Sequence, residues 1–213
     1  KVSALIAAGD SSIAQIAHNH LALVGHIDAD GTEAQKQELF GLVLRGHRLG
    51  NAFSELHSKT VTAFETRAHV DGDDVVVDGE KFYTTGALLA HIVPIVAVTE
   101  EGEGALVFAD RDAPGLTVSN NWSSFGQRTT ASGGVKIEQV RVPRSRAIAI
   151  KAFENQTVAG AVSQIIQAAI DVGIARQAIE ETIRFVRTQS RPWIDSGKDS
   201  AAEDVFTIQA IGD

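Results

Sequence analysis

The chain has 213 residues, 44% hydrophobic and 22% charged, a balance that supports a sizeable folded core and argues against disorder. Its formal net charge of −8 comes with no compensating basic block, which disfavours nucleic acid or an anionic membrane as a partner. The lack of cysteine excludes disulfides, thiolate metal ligands and cysteine nucleophiles, and no apolar run reaches bilayer-spanning length. A cytoplasmic protein without a metal centre is the expectation. Because the chain opens on Lys1 and closes on Gly212-Asp213 within a helical pattern, it reads as a piece of a longer protein.

Residues 10–27 read as a helix, with Asp10 or Ser11 as cap and Ile13, Ile16, His20, Val24 and Ile27 at helical spacing. His20 falls on this apolar stripe; His18 and His26 fall off it. A histidine so placed is either a hydrogen-bonded core residue or a proton donor or acceptor at a pocket wall. Gly31-Thr32 opens a second helix, with Thr32-x-x-Gln35 as a capping box and Leu39, Phe40, Val43 and Leu44 as its stripe. Arg45-Gly46 ends it.

From Gly50 the period drops to two. Residues 60–70 and 75–83 alternate, and Asp71-Gly72 and Asp78-Gly79 are hairpin signals. Short apolar runs follow at 92–99, 105–109, 116–119 and 135–142, with the acidic loop 100–104 among them. With no helical pattern between them, these strands predict an antiparallel sandwich or barrel. After Pro143 the helical period returns over 156–190, from Val158 to Val186, apolar on more than one face. That run is too long for an ordinary globular helix and predicts a bundle and association between copies. Arg191-Pro192 stops it, and Ser200-x-x-Glu203 is a second capping box that opens a further helix. The expected organisation is helices over 1–48, a β-domain over 49–150 and the start of a helical bundle over 151–213, an α+β chain.

Residues 80–91 carry the most chemistry. A strand ending in Tyr83, Thr84, Thr85 and Gly86 offers an aromatic face, two hydroxyls and an open backbone, which suit a flat, heteroatom-rich ring. The same residues also make an ordinary strand end with threonines in water. Trp122, in a loop of polar residues, is placed to cover something.

Four stretches read together: Gly50-Asn51-Ala52-Phe53-Ser54-Glu55, Lys81-Phe82-Tyr83-Thr84-Thr85-Gly86, residues 125–133 and Val140-Arg141-Val142-Pro143. In order, spacing and setting they resemble the acyl-CoA dehydrogenase superfamily, more narrowly its flavin-dependent monooxygenase branch of the sulfur-acquisition and dibenzothiophene-monooxygenase type. The resemblance implies an acyl-CoA dehydrogenase-like fold, with a flavin (FMN or FAD) between the β-domain and the bundle. It places Ser54, Tyr83, Thr84 and Thr85 against the ring and Trp122 as an aromatic wall. It places Arg128, Thr129 and Ser132 in a loop near substrate, and Arg191 at a flavin phosphate, often across a subunit boundary. Leu56 replaces the family's proline after Glu55, and Glu55 is not read as a base. Arg128 could equally be a surface cation, residues 132–133 an ordinary turn, and Arg191 a helix-terminal cation. The implied activity is a two-component monooxygenase that takes reduced flavin from a separate reductase and uses O2 on a small substrate, with His20 and Tyr83 as catalytic candidates. A homodimer or homotetramer is expected, and an acyl-CoA dehydrogenase or a non-catalytic binding protein is the alternative.

Overall fold

The computed structural model describes residues 1–60, 63–150 and 158–212. Helix α1 (Val2–Gly9), to which the sequence reading assigns no element, leads directly into α2 (Ser11–Asp30). The Asp10 carboxylate starts α2 by accepting the Ser12 and Ile13 N–H groups at 2.8 and 3.0 Å. The buried face of α2 is Ser12, Ala14, His18, Leu23 and Ile27, whereas Ile13 is 58% exposed, which corrects the predicted stripe. The cause is a change of partner along the helix. Ala14 packs with Ala7 and Ile170, and Leu23 and Ile27 pack against the sheet, so no single stripe serves both.

Helix α3 (Glu33–Leu44) opens as expected, with Thr32 and Gln35 forming a reciprocal capping box. Leu39 is its buried anchor, and Leu44 is exposed.

Among the described residues seven strands form one mixed sheet: β1 (Arg67–Asp71), β2 (Asp74–Lys81), β3 (Ile92–Thr99), β4 (Gly104–Asp110), β5 (Leu116–Val118), β6 (Val135–Pro143) and β7 (Ala147–Ala149). Their order is β5-β6-β2-β1-β3-β4-β7. All pairings are antiparallel except β1 with β3, which run parallel at Arg67↔Val98 and Ala68↔Thr99. That exception corrects the fully antiparallel expectation. It arises because the chain crosses over after β2 and returns as β3 on the free edge of β1. β4 approaches β6 although three strands separate them in the order, so the sheet curls around a core of Val77, Ile95, Val107 and Val140. Its outer face carries Ile92, Val96, Leu106 and Phe108, which α2 and α3 cover with Leu23, Ile27 and Leu39.

Asp71-Gly72 is the turn between β1 and β2, as expected. Asp78-Gly79 is not a turn but lies inside β2, opposite a bulge in β6. Across it, Val77 pairs with Val140 and Gly79 with Ile137, leaving one extra residue on the β6 side. Gln139 supplies that residue at φ 50, and the Asp78 carboxylate accepts its backbone N–H at 2.8 Å. Gly79 is required where it stands, since a Cβ there would lie 2.4 Å from Thr66 Oγ1.

The expected span 156–190 is realised as one helix, α4 (Val158–Thr188), whose predicted first residues 156–157 lie outside the described residues. It packs on α1 and α2, with Ile170 fully buried and Val158, Ile165, Val172 and Ile179 exposed. Ser200 caps only a short 3-10 turn; the last helix, α5 (Val205–Gly212), starts later, where Asp204 accepts the Phe206 N–H and the Thr207 hydroxyl. Among the described residues no helix is long and apolar enough to cross a membrane.

Candidate functional site

β2 stops at Lys81, earlier than the alternation of 75–83 predicts, and the chain turns sharply through residues 82–86. Segment 49–55 runs beside β3 through bridges at Leu49↔Ile92 and Ala52↔Ile95, and the Ser54 carbonyl accepts the Phe82 N–H at 2.8 Å. That tether begins the turn. Tyr83 follows at φ 55, a left-handed conformation uncommon for an aromatic residue, and Gly86 at φ 76 completes the reversal. Tyr83 is thereby swung outward, 52% exposed, with its ring edge-to-face against Trp122 at a centroid distance of 5.9 Å.

Thr84 and Thr85 come next in the turn. Both are buried, and Thr84 Oγ1 donates to the Gly133 carbonyl at 2.8 Å. Thr85 Oγ1 lies 2.8 Å from Ser132 Oγ, which lies 2.7 Å from Thr130 Oγ1. Thr130 Oγ1 donates at 2.9 Å to the Gln127 carbonyl, which also accepts the Trp122 Nε1–H at 3.1 Å. One hydrogen-bonded chain thus joins the Tyr83 turn, loop 127–133 and the indole that faces Tyr83. The structure therefore brings together Tyr83, Thr84, Thr85, Trp122 and Ser132. Gln127 and Thr130 fall in the stretch 125–133 but receive no role in the sequence reading, where only the hydroxyl of Thr130 signals one.

Arg128 and Thr129 are exposed on the 3-10 turn Arg128–Thr130, which lies against α2. The Ser54 side chain is exposed. Arg191 is exposed beyond the end of α4, and its guanidinium makes no ion pair with the described residues. No hydrogen bond or ring contact among them joins it to the Tyr83 turn.

Glu55 is not a solvated loop acid. Its carboxylate accepts from Lys81 Nζ at 2.6 Å, the Glu65 N–H at 2.6 Å, the Thr66 N–H at 3.1 Å and the Thr66 hydroxyl at 2.7 Å. The side chains of Lys81 and Glu55 are 0% and 6% exposed. Burial pushes the Glu55 carboxyl up, but the donors from Lys81, Glu65 and Thr66 outweigh it and hold the group below its usual range. Lys81 also donates to the Phe53 carbonyl at 3.0 Å and lies 4.7 Å from the Phe64 ring centroid. This pair clamps segment 53–55 onto the end of β2, which holds the Tyr83 turn in place. Lys81 is in phase with the buried Val75 and Val77 of β2, but no local pattern pairs it with Glu55, 26 residues away.

On α2, His20 Nδ1 accepts the Leu49 N–H at 3.1 Å, which puts its proton on Nε2. Burial, with a smaller contribution from the Arg48 charge, lowers its pKa and keeps the ring neutral. His18, expected off the apolar face, is 8% exposed and lies 2.9 Å from Ser163 Oγ of α4 through Nε2. Asn51 donates to Asn19 Oδ1 at 3.1 Å, while its own Oδ1 is buried without a hydrogen-bond partner among the described residues.

An exposed tyrosine edge-to-face with a half-buried indole, and a row of hydroxyls joined to that indole, are groups a flat heterocycle with N–H edges engages. The residues present therefore fit a flavin ring.

Residues 52–140 match the family model described as acyl-CoA dehydrogenase, middle domain. The chain is 27% identical to a dibenzothiophene monooxygenase of Rhodococcus qingshengii, over 98% of this chain and 53% of that protein. It is 29% identical to SfnC of Pseudomonas putida, described as a probable FMNH2-dependent monooxygenase, over 96% of this chain and 52% of that one. The FMN-bound structure of TdsC from Paenibacillus sp. A11-2 superimposes with a TM-score of 0.88 at 27% identity, covering 99% of this chain and 56% of that one. The chain thus spans about half the length of the relatives it matches. Residues 52–140 thus match an acyl-CoA dehydrogenase middle domain, and nearly the whole chain has an acyl-CoA dehydrogenase-like fold and is similar to monooxygenases of that kind.

Proposed function

We propose that this chain carries the β-domain and flanking helices of a two-component, flavin-dependent monooxygenase acting on a small molecule, with organosulfur compounds as the substrate class. The observation that carries the reading is the Tyr83–Trp122 pair tied, through the Gln127 carbonyl, to the hydroxyl row of Thr85, Ser132 and Thr130. Bound reduced flavin would activate O2, and a separate flavin reductase is the partner that supplies it. The chain's own residues bind and orient the ring through Tyr83, Thr85 and Trp122, and shield it from water. His20, which accepts the Leu49 N–H through Nδ1 and so carries its proton on Nε2, would be the proton donor in this reading. The acyl-CoA dehydrogenase alternative is less favoured, because monooxygenases match 96–98% of the chain while the probable acyl-CoA dehydrogenase YngJ of Bacillus subtilis matches 76%. FMN as the flavin, a cytoplasmic setting and a homo-oligomer belong to the same reading.

Anaerobic titration with reduced FMN is expected to quench Trp122 fluorescence with an affinity well below about 1 mM, the level worth only ~4 kcal/mol. Binding of neither redox form below that concentration would sink the site assignment.

His20→Ala is expected to leave flavin binding intact and to lower the ratio of oxygenated product to hydrogen peroxide roughly tenfold or more. His20→Asn is the control, since its Oδ1 can still accept the Leu49 N–H. If both variants keep the wild-type ratio, the only role of His20 is to moor residues 48–50.

A further inference from the structure

Each hydroxyl in the row Thr85–Ser132–Thr130 has one proton, and the row ends on a carbonyl that can only accept. Thr130 must therefore spend its proton on the Gln127 carbonyl at 2.9 Å. At the 2.7 Å contact Thr130 is then the acceptor and Ser132 the donor. Ser132 has no second proton, so at the 2.8 Å contact Thr85 donates and Ser132 accepts. The direction of all three bonds follows from the last one. Thr85 is left with lone pairs and no proton for any bound group. Thr130 is 1% exposed and Ser132 4%, so water is poorly placed to reverse the row.

We propose that Thr130 sets the polarity of this row, making Thr85 an acceptor-only contact that favours a ligand edge bearing N–H over one bearing a bare nitrogen. Resting on the flavin reading above, this makes the site selective for the reduced cofactor, whose ring carries N–H groups where the oxidised ring has bare nitrogens. Thr130 acts through Ser132 and Thr85, as a positioning residue. Through the shared Gln127 carbonyl it also fixes the Trp122 indole.

The test compares affinities for oxidised and anaerobically reduced FMN in wild type, Thr130→Val, Thr130→Ser and Ser132→Ala, with the near-UV circular dichroism of Trp122 as a readout free of ligand. Wild type is expected to prefer reduced FMN by about tenfold or more, the scale of one matched against one mismatched buried hydrogen bond. Thr130→Val should remove most of that preference and alter the indole signal, and Thr130→Ser should restore both. Ser132→Ala should leave the indole signal alone yet free the Thr85 proton, moving the preference toward oxidised FMN. It carries the test by itself if Thr130→Val fails to fold. A preference that neither Thr130→Val nor Ser132→Ala changes would overturn the inference while leaving the flavin reading standing. Failure of both redox forms to bind would remove the flavin reading and this inference with it.

Discussion

Lys81→Met is expected to lower the unfolding free energy by about 3–5 kcal/mol, because it leaves the Glu55 carboxylate buried with no counter-charge. The remaining donors to that carboxylate, the Glu65 and Thr66 N–H groups and the Thr66 hydroxyl, are neutral. The double variant Glu55→Gln/Lys81→Met should recover much of the loss, since replacing both charges removes the unpaired ion rather than exposing it. Urea denaturation at neutral pH measures all three proteins. Costs for Lys81→Met below about 1 kcal/mol would show that the carboxylate finds another partner or water. The pair also shapes the acid limb of stability. Glu55 sits below its usual range, so its contribution is complete above the ordinary glutamate value near ~4.3 and is lost as pH falls through the depressed folded value. Glu55→Gln should flatten stability in that window.

Gly173→Val is the second large effect, at about 1–3 kcal/mol from overpacking. A Cβ at Gly173 would stand 2.3 Å from the Ala4 carbonyl oxygen and 2.9 Å from Ala7 Cβ, so α1 must lift off α4. Hydrogen exchange locates the damage: amides of α1 should lose protection while those of β3 and β4 keep theirs. Equal loss in both places would mean that the helices and the sheet unfold as one unit.

Much of this fold was legible where the signal is local. The caps at Asp10 and Thr32 satisfy backbone donors two or three residues away, and both helices start where the caps say. β3 spans 92–99, as its apolar run predicts. What escaped depends on partners distant in sequence. β7 is three residues long and exists only because β4 offers it an edge. The two-sided burial of α2 needs both α4 and the sheet. Asp78-Gly79 has turn composition, but Asp78 spends its carboxylate on Gln139, 61 residues away. At the site, the Tyr83–Gly86 turn and Trp122 could be singled out from their residue types. The Lys81–Glu55 pair and the Thr130 row could not, because a lysine is ordinarily at the surface and a threonine does not announce which hydroxyl it meets.

The bulge in β6 leaves a trace in the alternation of that strand. Val135 and Ile137 face the core on odd numbers, Val140 and Val142 on even ones, and the change of phase falls at Glu138 and Gln139. The two halves present the same face to the core because the bulge absorbs one residue: with that residue discounted, Val135, Ile137, Val140 and Val142 alternate without a break. Loss of Gln139 should therefore keep all four on the core face and remove only the bulge and its bond to Asp78, whereas loss of both Glu138 and Gln139 would carry Arg141 into the core and Val140 and Val142 into water. Among related sequences, single-residue gaps within 135–142 should fall at 138–139, and longer ones in the exposed hairpin loop at residues 100–103.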